Sequence, residues 1–343
     1  MRLLVYVVRR LLLLIPVLVG VTLITFAIGF VIPTNPVHAW CGQKCDQNQL
    51  ALIRQWAGLD LPWYQQYWNY IVHLSHFDFG LMPSQQFRPV SDELVKRFPA
   101  TVELTTVAMV FAVILGIPTG IISATRKDRL PDHITRAVAL SGVSIPIFWL
   151  GIMLLWLFYG ELRIEQLAPV GRLSFDGQAW YVNHNITGFV TIDSILQGNF
   201  DVFVDGVTHL ILPGFALAYT TMALITRMMR SSMLEVLGQD YIKAARAKGL
   251  SERVVIRKHA KRNAMIPTTT VIGLSFGGLL GGAVLTETVF TFPGMGQWAV
   301  SMLVSLDFTG VMALTFITAL IYVSANLIVD VIYAYLDPRI KLE

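Results

Sequence analysis

Apolar positions in this chain do not alternate with polar ones at the two-residue period of a strand. They run on, mostly unbroken, over six stretches: 11–32, 100–125, 137–160, 207–226, 264–286 and 308–329. About 20 mostly apolar residues carry a helix across the hydrocarbon core, and in lipid only a helix or a closed barrel satisfies its own backbone. The pattern therefore predicts an all-α membrane protein of six transmembrane helices. Between Arg10 and Lys44 there is no Lys, Arg, Asp or Glu at all. The first stretch has the basic start of a secretory signal, but its apolar run is too long and no small-residue cleavage site follows, so it is expected to stay as a helix.

Polar segments divide the chain into a first unit over 1–32, an insert over 33–99 and a five-helix core over 100–343. Within the core, 161–206 and 227–263 are the long connections. Only 14% of the 343 residues are charged and 55% are hydrophobic, against about 25% charged in a soluble domain. Cytoplasmic segments keep Lys and Arg while translocated ones shed them. The N-terminus, 126–136, 227–263 and the C-terminus hold most of the 26 Lys and Arg, ten of them in 227–263. Both termini are thus expected in the cytoplasm, with 33–99 and 161–206 outside. The net charge of +4 reflects this topology and not nucleic-acid binding.

The outer insert carries Trp40, Trp56, Trp63, Tyr64, Tyr67, Trp68 and Tyr70. Such rings suit short helices at the membrane interface or a small subdomain packed on itself. Cys41 and Cys45 are the only cysteines; on the outer side they suit a local disulfide, with a zinc site including His38 as the weaker alternative. Residues 161–206 are expected to form an ordered loop.

No Walker phosphate loop, zinc-protease helix or nucleophile elbow is present, so the chain is expected to be no enzyme and to hold no cofactor or metal. Glu103 and His209 lie one turn into their stretches near the outer face, and are read as interfacial side chains that face solvent or a partner helix. That leaves an ion-coupled carrier little to work with. Gly273, Gly277 and Gly281 form overlapping G-x-x-x-G steps for close helix packing. Gly116, Pro118 and Gly120, and Ser141 to Pro146, are read as breaks that permit bends.

Within 227–263, residues 240–248 lack Gly and Pro and favour a short helix, which Gly249 stops. A second, basic helix is expected from Glu252 to Ala264. It could lie on anionic headgroups or dock a partner.

Ala244, Ala245 and Gly249, followed by Val255, His259, Arg262-Asn263-Ala264 and Pro267, resemble the "EAA" loop of bacterial ABC importer permeases, in the dipeptide/oligopeptide branch. Arg9-Arg10 to Pro16, Thr101 to Leu104, Ser144 to Trp149, Arg230 to Glu235, Thr286 to Phe290, Pro293 to Gly296 and Asp337 to Arg339 are similar to that family as well. The 161–206 segment is similar to dipeptide-type members. Lys243 stands where the loop's glutamate would be, Thr34-Asn35 replace a Gly-Asp pair, and the cysteine pair is not a family feature.

The resemblance implies a type I ABC importer permease in the inner membrane, forming half of a pathway for dipeptides or short oligopeptides. Its implied partners are a homologous second permease, two ABC ATPases that bind ATP and Mg, and an extracytoplasmic substrate-binding protein. Tyr241, Ala244, Ala245, Lys248, Gly249, Leu250 and His259 would make the ATPase contact, and lipid would surround the spans. Nickel, glutathione or sugar importers share the implied scaffold; an ion-coupled secondary carrier is the reading from another class.

Overall fold

A computed structural model describes residues 2–31, 46–82, 85, 87–164, 170–305 and 307–336. Cys41 and Cys45 fall outside the described residues. The first helix, α1 (Arg2–Phe26), continues as one wide π turn, Ala27–Val31. The insert then forms α2 (Gln47–Ala57), capped at both ends by an Asp46–Gln49 capping box and a left-handed Gly58, and α3 (Trp63–Ser75). Its aromatic residues divide. Tyr67 and Tyr70 bond Thr22 and Thr25 of α1 at 2.9 Å, whereas Trp63 and Trp68 are about two-thirds exposed. A two-residue ladder, β1 (Leu81–Met82) with β2 (Arg88–Pro89), closes the insert.

The core opens with α4 (Val90–Thr125), a single helix that runs through Pro99 and Pro118. Gly116 and Gly120 therefore serve packing rather than bending. A Cβ at Gly120 would lie 2.7 Å from the Met229 Cβ and 2.8 Å from the Thr226 carbonyl oxygen. Next come α5 (Leu130–Ser144) and α6 (Ile147–Leu155), the latter extended by a π turn Trp156–Glu161. The third apolar stretch, expected as one span over 137–160 with a break that permits a bend at its start, is this pair, bent by 107°. The cause is Pro146: the residue before a proline is pushed into extended backbone, and Ile145 has φ −82° and ψ 123°.

The segment 170–199 holds α7 (Phe175–His184) and α8 (Val190–Leu196), followed by α9 (Phe200–Leu237). After α9 come α10 (Asp240–Ala247) and α11 (Lys261–Gly282), with α11 entered through Glu252–Val254 and a π-helical stretch Val255–Ala260. The chain ends in α12 (Val284–Val289), α13 (Met295–Val304) and α14 (Phe308–Leu336). Among the described residues, five helices are long and apolar enough to cross a membrane, and up to six spans result when the bent pair counts as one. The all-α, six-span architecture expected from the apolar pattern is the one observed.

The centre of the fold is the α4–α9 pair, where Leu104, Ala108 and Ala112 meet Leu210, Leu217 and Ile225. Glu103 and His209 do not face solvent: they are 5% and 3% exposed. The 170–199 segment folds back over the ends of α4 and α9 and covers Glu103. Arg172 reaches one Glu103 oxygen at 2.7 Å, while the Thr191 N–H donates to the other at 2.8 Å. His209 Nδ1 stands 2.9 Å from the Asp205 carbonyl oxygen. Asp193 pins the same segment. Burial pushes its carboxyl up, but the Thr187 hydroxyl and N–H, the Ile186 N–H and the Tyr181 hydroxyl hold it below the usual carboxylate range.

Candidate coupling site

The 240–250 segment folds as its composition dictates. Ala-rich sequence with Asp240 in the first turn favours the helix, since an acidic group there complements the helix dipole. Gly249 ends it at φ +77°, a backbone conformation that glycine adopts without steric cost. Its N–H donates to the Arg246 carbonyl oxygen at 2.9 Å. Beyond the turn, Arg246 Nε reaches the Glu252 carboxylate at 2.6 Å, which clasps the end of α10 to the start of the next helix.

α10 has two faces of opposite character. Ile242 and Ala245, one helical turn apart, are buried at 0% and 7% exposure. They sit in an apolar cluster with Met229 and Met233 of α9, Val255 and Ala260 of the π stretch, and Ala264 of α11. Tyr241, Lys243, Ala244, Lys248, Gly249 and Leu250 face outward. The rim is apolar in places, with Tyr241 43%, Leu250 39% and Val254 38% exposed.

Two residues at the edge complete the mounting. The Asn263 amide donates to the Tyr241 hydroxyl at 2.8 Å, which ties the outer edge of α10 to α11. The backbone carbonyl of half-buried His259 accepts from the same amide at 3.1 Å. Lys243 pairs with Asp240 at 2.8 Å, a surface pair in open solvent.

Of the seven residues expected to make the partner contact, Ala245 thus belongs to the chain's own core, and His259 supports the loop through its backbone. Ile242, Met229, Met233 and Asn263, none of which was expected among the contact residues, hold the helix in place. The spacing of Ile242 and Ala245 was the available signal, since positions three apart share a helix face. Among the packing glycines, a Cβ at Gly277 would meet the Ala325 Cβ of α14 at 3.2 Å, and Gly273 is half-buried in the same helix, while the surroundings of Gly281 lie outside what is described.

A helix wedged between the ends of two membrane-spanning helices, with a free outer face, can transmit displacement. A push on its outer face reaches α9 through Met229 and Met233, and α11 through Ala264 and, by way of the π stretch, Val255 and Ala260. A further buried pair stiffens this end: Asp132 of α5, fully buried, accepts from Arg230 of α9 at 2.8 and 2.9 Å. No group of three or more His, Cys, Asp or Glu side chains suited to a metal is gathered among the described residues.

Residues 116–342 match the family described as "Binding-protein-dependent transport system inner membrane component", and residues 3–105 match its companion N-terminal family. The chain is 44% identical to the "Probable D,D-dipeptide transport system permease protein" of Escherichia coli K12, with 94% of each chain covered. It is 43% identical to a dipeptide transport system permease protein of Alkalihalophilus pseudofirmus, over 98% of this chain and 99% of that one. A glutathione transport system permease protein of Escherichia coli K12 is 38% identical, over 98% of each.

Proposed function

The chain belongs to the family of inner-membrane components of binding-protein-dependent transport systems, and on that premise we propose that it forms half of the translocation pathway of an ATP-driven importer for dipeptides. It is a multi-pass inner-membrane permease with the type I ABC importer fold, a subunit that works with ATPases and a substrate-binding protein. The finer assembly is part of the proposal: one homologous second permease, two ATPases that carry the ATP and Mg, and one extracytoplasmic binding protein. Both termini lie in the cytoplasm in this reading, because the basic segments then fall inside.

The observation that carries the mechanism is the two-faced mounting of α10. Tyr241, Ala244, Lys248, Gly249 and Leu250 form the surface on which an ATPase docks. Ile242 and Ala245 pass its movement to α9 and α11, which tilt and change the side on which the pathway opens. Ala244 and Gly249 suit that surface because they add no bulk between two backbones. The chain's contribution is positioning and force transmission, with nucleotide chemistry left to its partners.

Dipeptides are favoured over glutathione because the relatives with higher identity are named for dipeptides. The test is uptake in proteoliposomes that hold the four membrane and ATPase subunits. Dialanine entry that requires both ATP and the binding protein is the expected result. Entry driven by a proton gradient without ATP would overturn the ABC reading, and uptake of glutathione but not dialanine would overturn the substrate.

A further inference from the structure

A second feature stands at the same end of the molecule, beyond the docking surface of α10. A cavity of about 360 Å³ opens between α5 and α9, lined by Thr135, Arg136, Ala139, Leu140 and Val143 on one side and Thr226, Arg227, Arg230 and Ser231 on the other. We propose that it binds the phosphate of an anionic phospholipid.

The charges around it do not balance. Asp132 is the acidic group bonded at its edge, and it is already saturated: Arg230 grips both its oxygens at 2.8 and 2.9 Å, Ser123 donates to one, and the Asp128 N–H reaches the other at 3.0 Å. Arg136 stands 3.8 Å from the same carboxylate and spends one N–H on His133 Nδ1 at 2.7 Å. Arg227 makes no hydrogen bond or ion pair among the described residues, and it is exposed on a membrane-spanning helix. Three guanidiniums thus line the cavity, against the carboxylate of Asp132 and the more distant one of Asp128, which also acts on Arg230. These guanidiniums stand at the end of the spans, in the segments read as cytoplasmic, where basic residues are drawn to anionic headgroups, and a guanidinium fork matches the oxygens of a phosphate. The hydroxyls of Thr135 and Ser231 are further donors at the rim.

The apolar wall decides which anion. Leu140 is 69% exposed and Val143 is 51% exposed, on the same helix as Arg136 and one to two turns along it. A free phosphate or a peptide carboxylate gains nothing from them. A phospholipid uses both parts at once, with its phosphate among Arg136, Arg227 and Arg230 and an acyl chain along Leu140 and Val143. Basic pockets between membrane helices are the known physical setting for such headgroups.

The test is native mass spectrometry of the delipidated importer complex titrated with short-chain phosphatidylglycerol, phosphatidylethanolamine, inorganic phosphate or dialanine. Arg227→Gln is expected to weaken phosphatidylglycerol binding about fivefold, the factor for about 1 kcal/mol per basic residue beside anionic headgroups. Arg227→Lys should restore most of it, and phosphatidylethanolamine should be unaffected. Leu140→Gln, which touches no charge, should weaken phosphatidylglycerol and leave inorganic phosphate unchanged, and it keeps the test alive should Arg227→Gln fail to assemble. Equal phosphatidylglycerol binding by wild type and both variants overturns the proposal. So does competition by phosphate or dialanine at the lipid's own concentration, which would mark a soluble-anion site.

Discussion

The two alanines at the centre of α10 allow the mounting and the docking surface to be separated by one pair of variants. Ala245→Asp places a carboxylate at a position 7% exposed, amid Met229, Met233, Ile242, Val255, Ala260 and Ala264, none of which can pair with it. An unpaired buried carboxylate costs several kcal/mol; with about 3 kcal/mol as the low end, the seated helix becomes roughly 100-fold less populated. Ala244→Asp, one residue earlier, adds the same charge to the exposed face and costs the fold almost nothing. Three readouts follow for each variant: thermal stability of the purified complex, dialanine uptake in proteoliposomes, and ATP hydrolysis stimulated by the binding protein. Ala245→Asp is expected to lower stability and abolish uptake while the permease still reaches the membrane. Ala244→Asp is expected to keep wild-type stability and lose uptake and stimulated hydrolysis together. Wild-type uptake by Ala245→Asp, or an equal loss of stability in both variants, would refute the two-faced mounting.

Gly249 separates backbone strain from hydrogen bonding. A Cβ there meets nothing within 4 Å at φ +77°, so Gly249→Ala should cost only about 1–2 kcal/mol of left-handed strain and reduce uptake partially, whereas Gly249→Pro cannot adopt that φ, loses the bond to Arg246 and should abolish uptake. Glu103→Gln leaves Arg172, 8% exposed, with a neutral partner, and removing one member of a buried pair costs about 3–5 kcal/mol; limited proteolysis of the 170–199 segment should accelerate, and Glu103→Gln combined with Arg172→Met should be less sensitive than Glu103→Gln alone. Asp193 supplies a pH dependence: its carboxyl lies below the usual carboxylate range, so its stabilisation is complete above the ordinary value near 4 and is lost as pH falls through the lower, folded value. Hydrogen exchange of the N–H groups of 186–188, corrected for intrinsic rate, should stay flat from pH 7 to 5 and rise below pH 4, and Asp193→Asn should remove that step.

The spans were legible because hydrocarbon imposes them: a run such as 308–329 has no other way to satisfy its backbone. The stop at Gly249 and the break at Pro146 were legible for a related reason, since each depends on the backbone geometry of one residue type. What the sequence hid is set by residues far apart in the chain. Glu103 looked like a group at the interface because its partner Arg172 lies 69 positions on, and no local pattern joins them. Pro118 looked like a hinge, yet α4 passes through it, since the neighbouring Gly116 and Gly120 let α9 approach and the packing overrides the local preference. The same holds for Ala245, whose small size suited either face of α10 until Met229 and Met233 of α9 were placed beside it.

Three long-range polar links share one feature: each begins on α4. Thr101 donates to Glu287 at 2.7 Å and accepts from the Met295 N–H at 2.8 Å, fixing α12 and α13. Glu103 holds the outer segment through Arg172 and Thr191, and at the far end Ser123 bonds Asp132, which Arg230 of α9 grips in turn. With Gly116 and Gly120 closing it against α9, this helix has little freedom to bend by itself. Displacement delivered by α10 to Met229 and Met233 must therefore carry α4 and α9 as one body, together with the outer segment attached to them. In the proposed mechanism the pair that receives the push at one end carries the 170–199 segment at the other, and the 107° bend before Pro146 is a place that can yield.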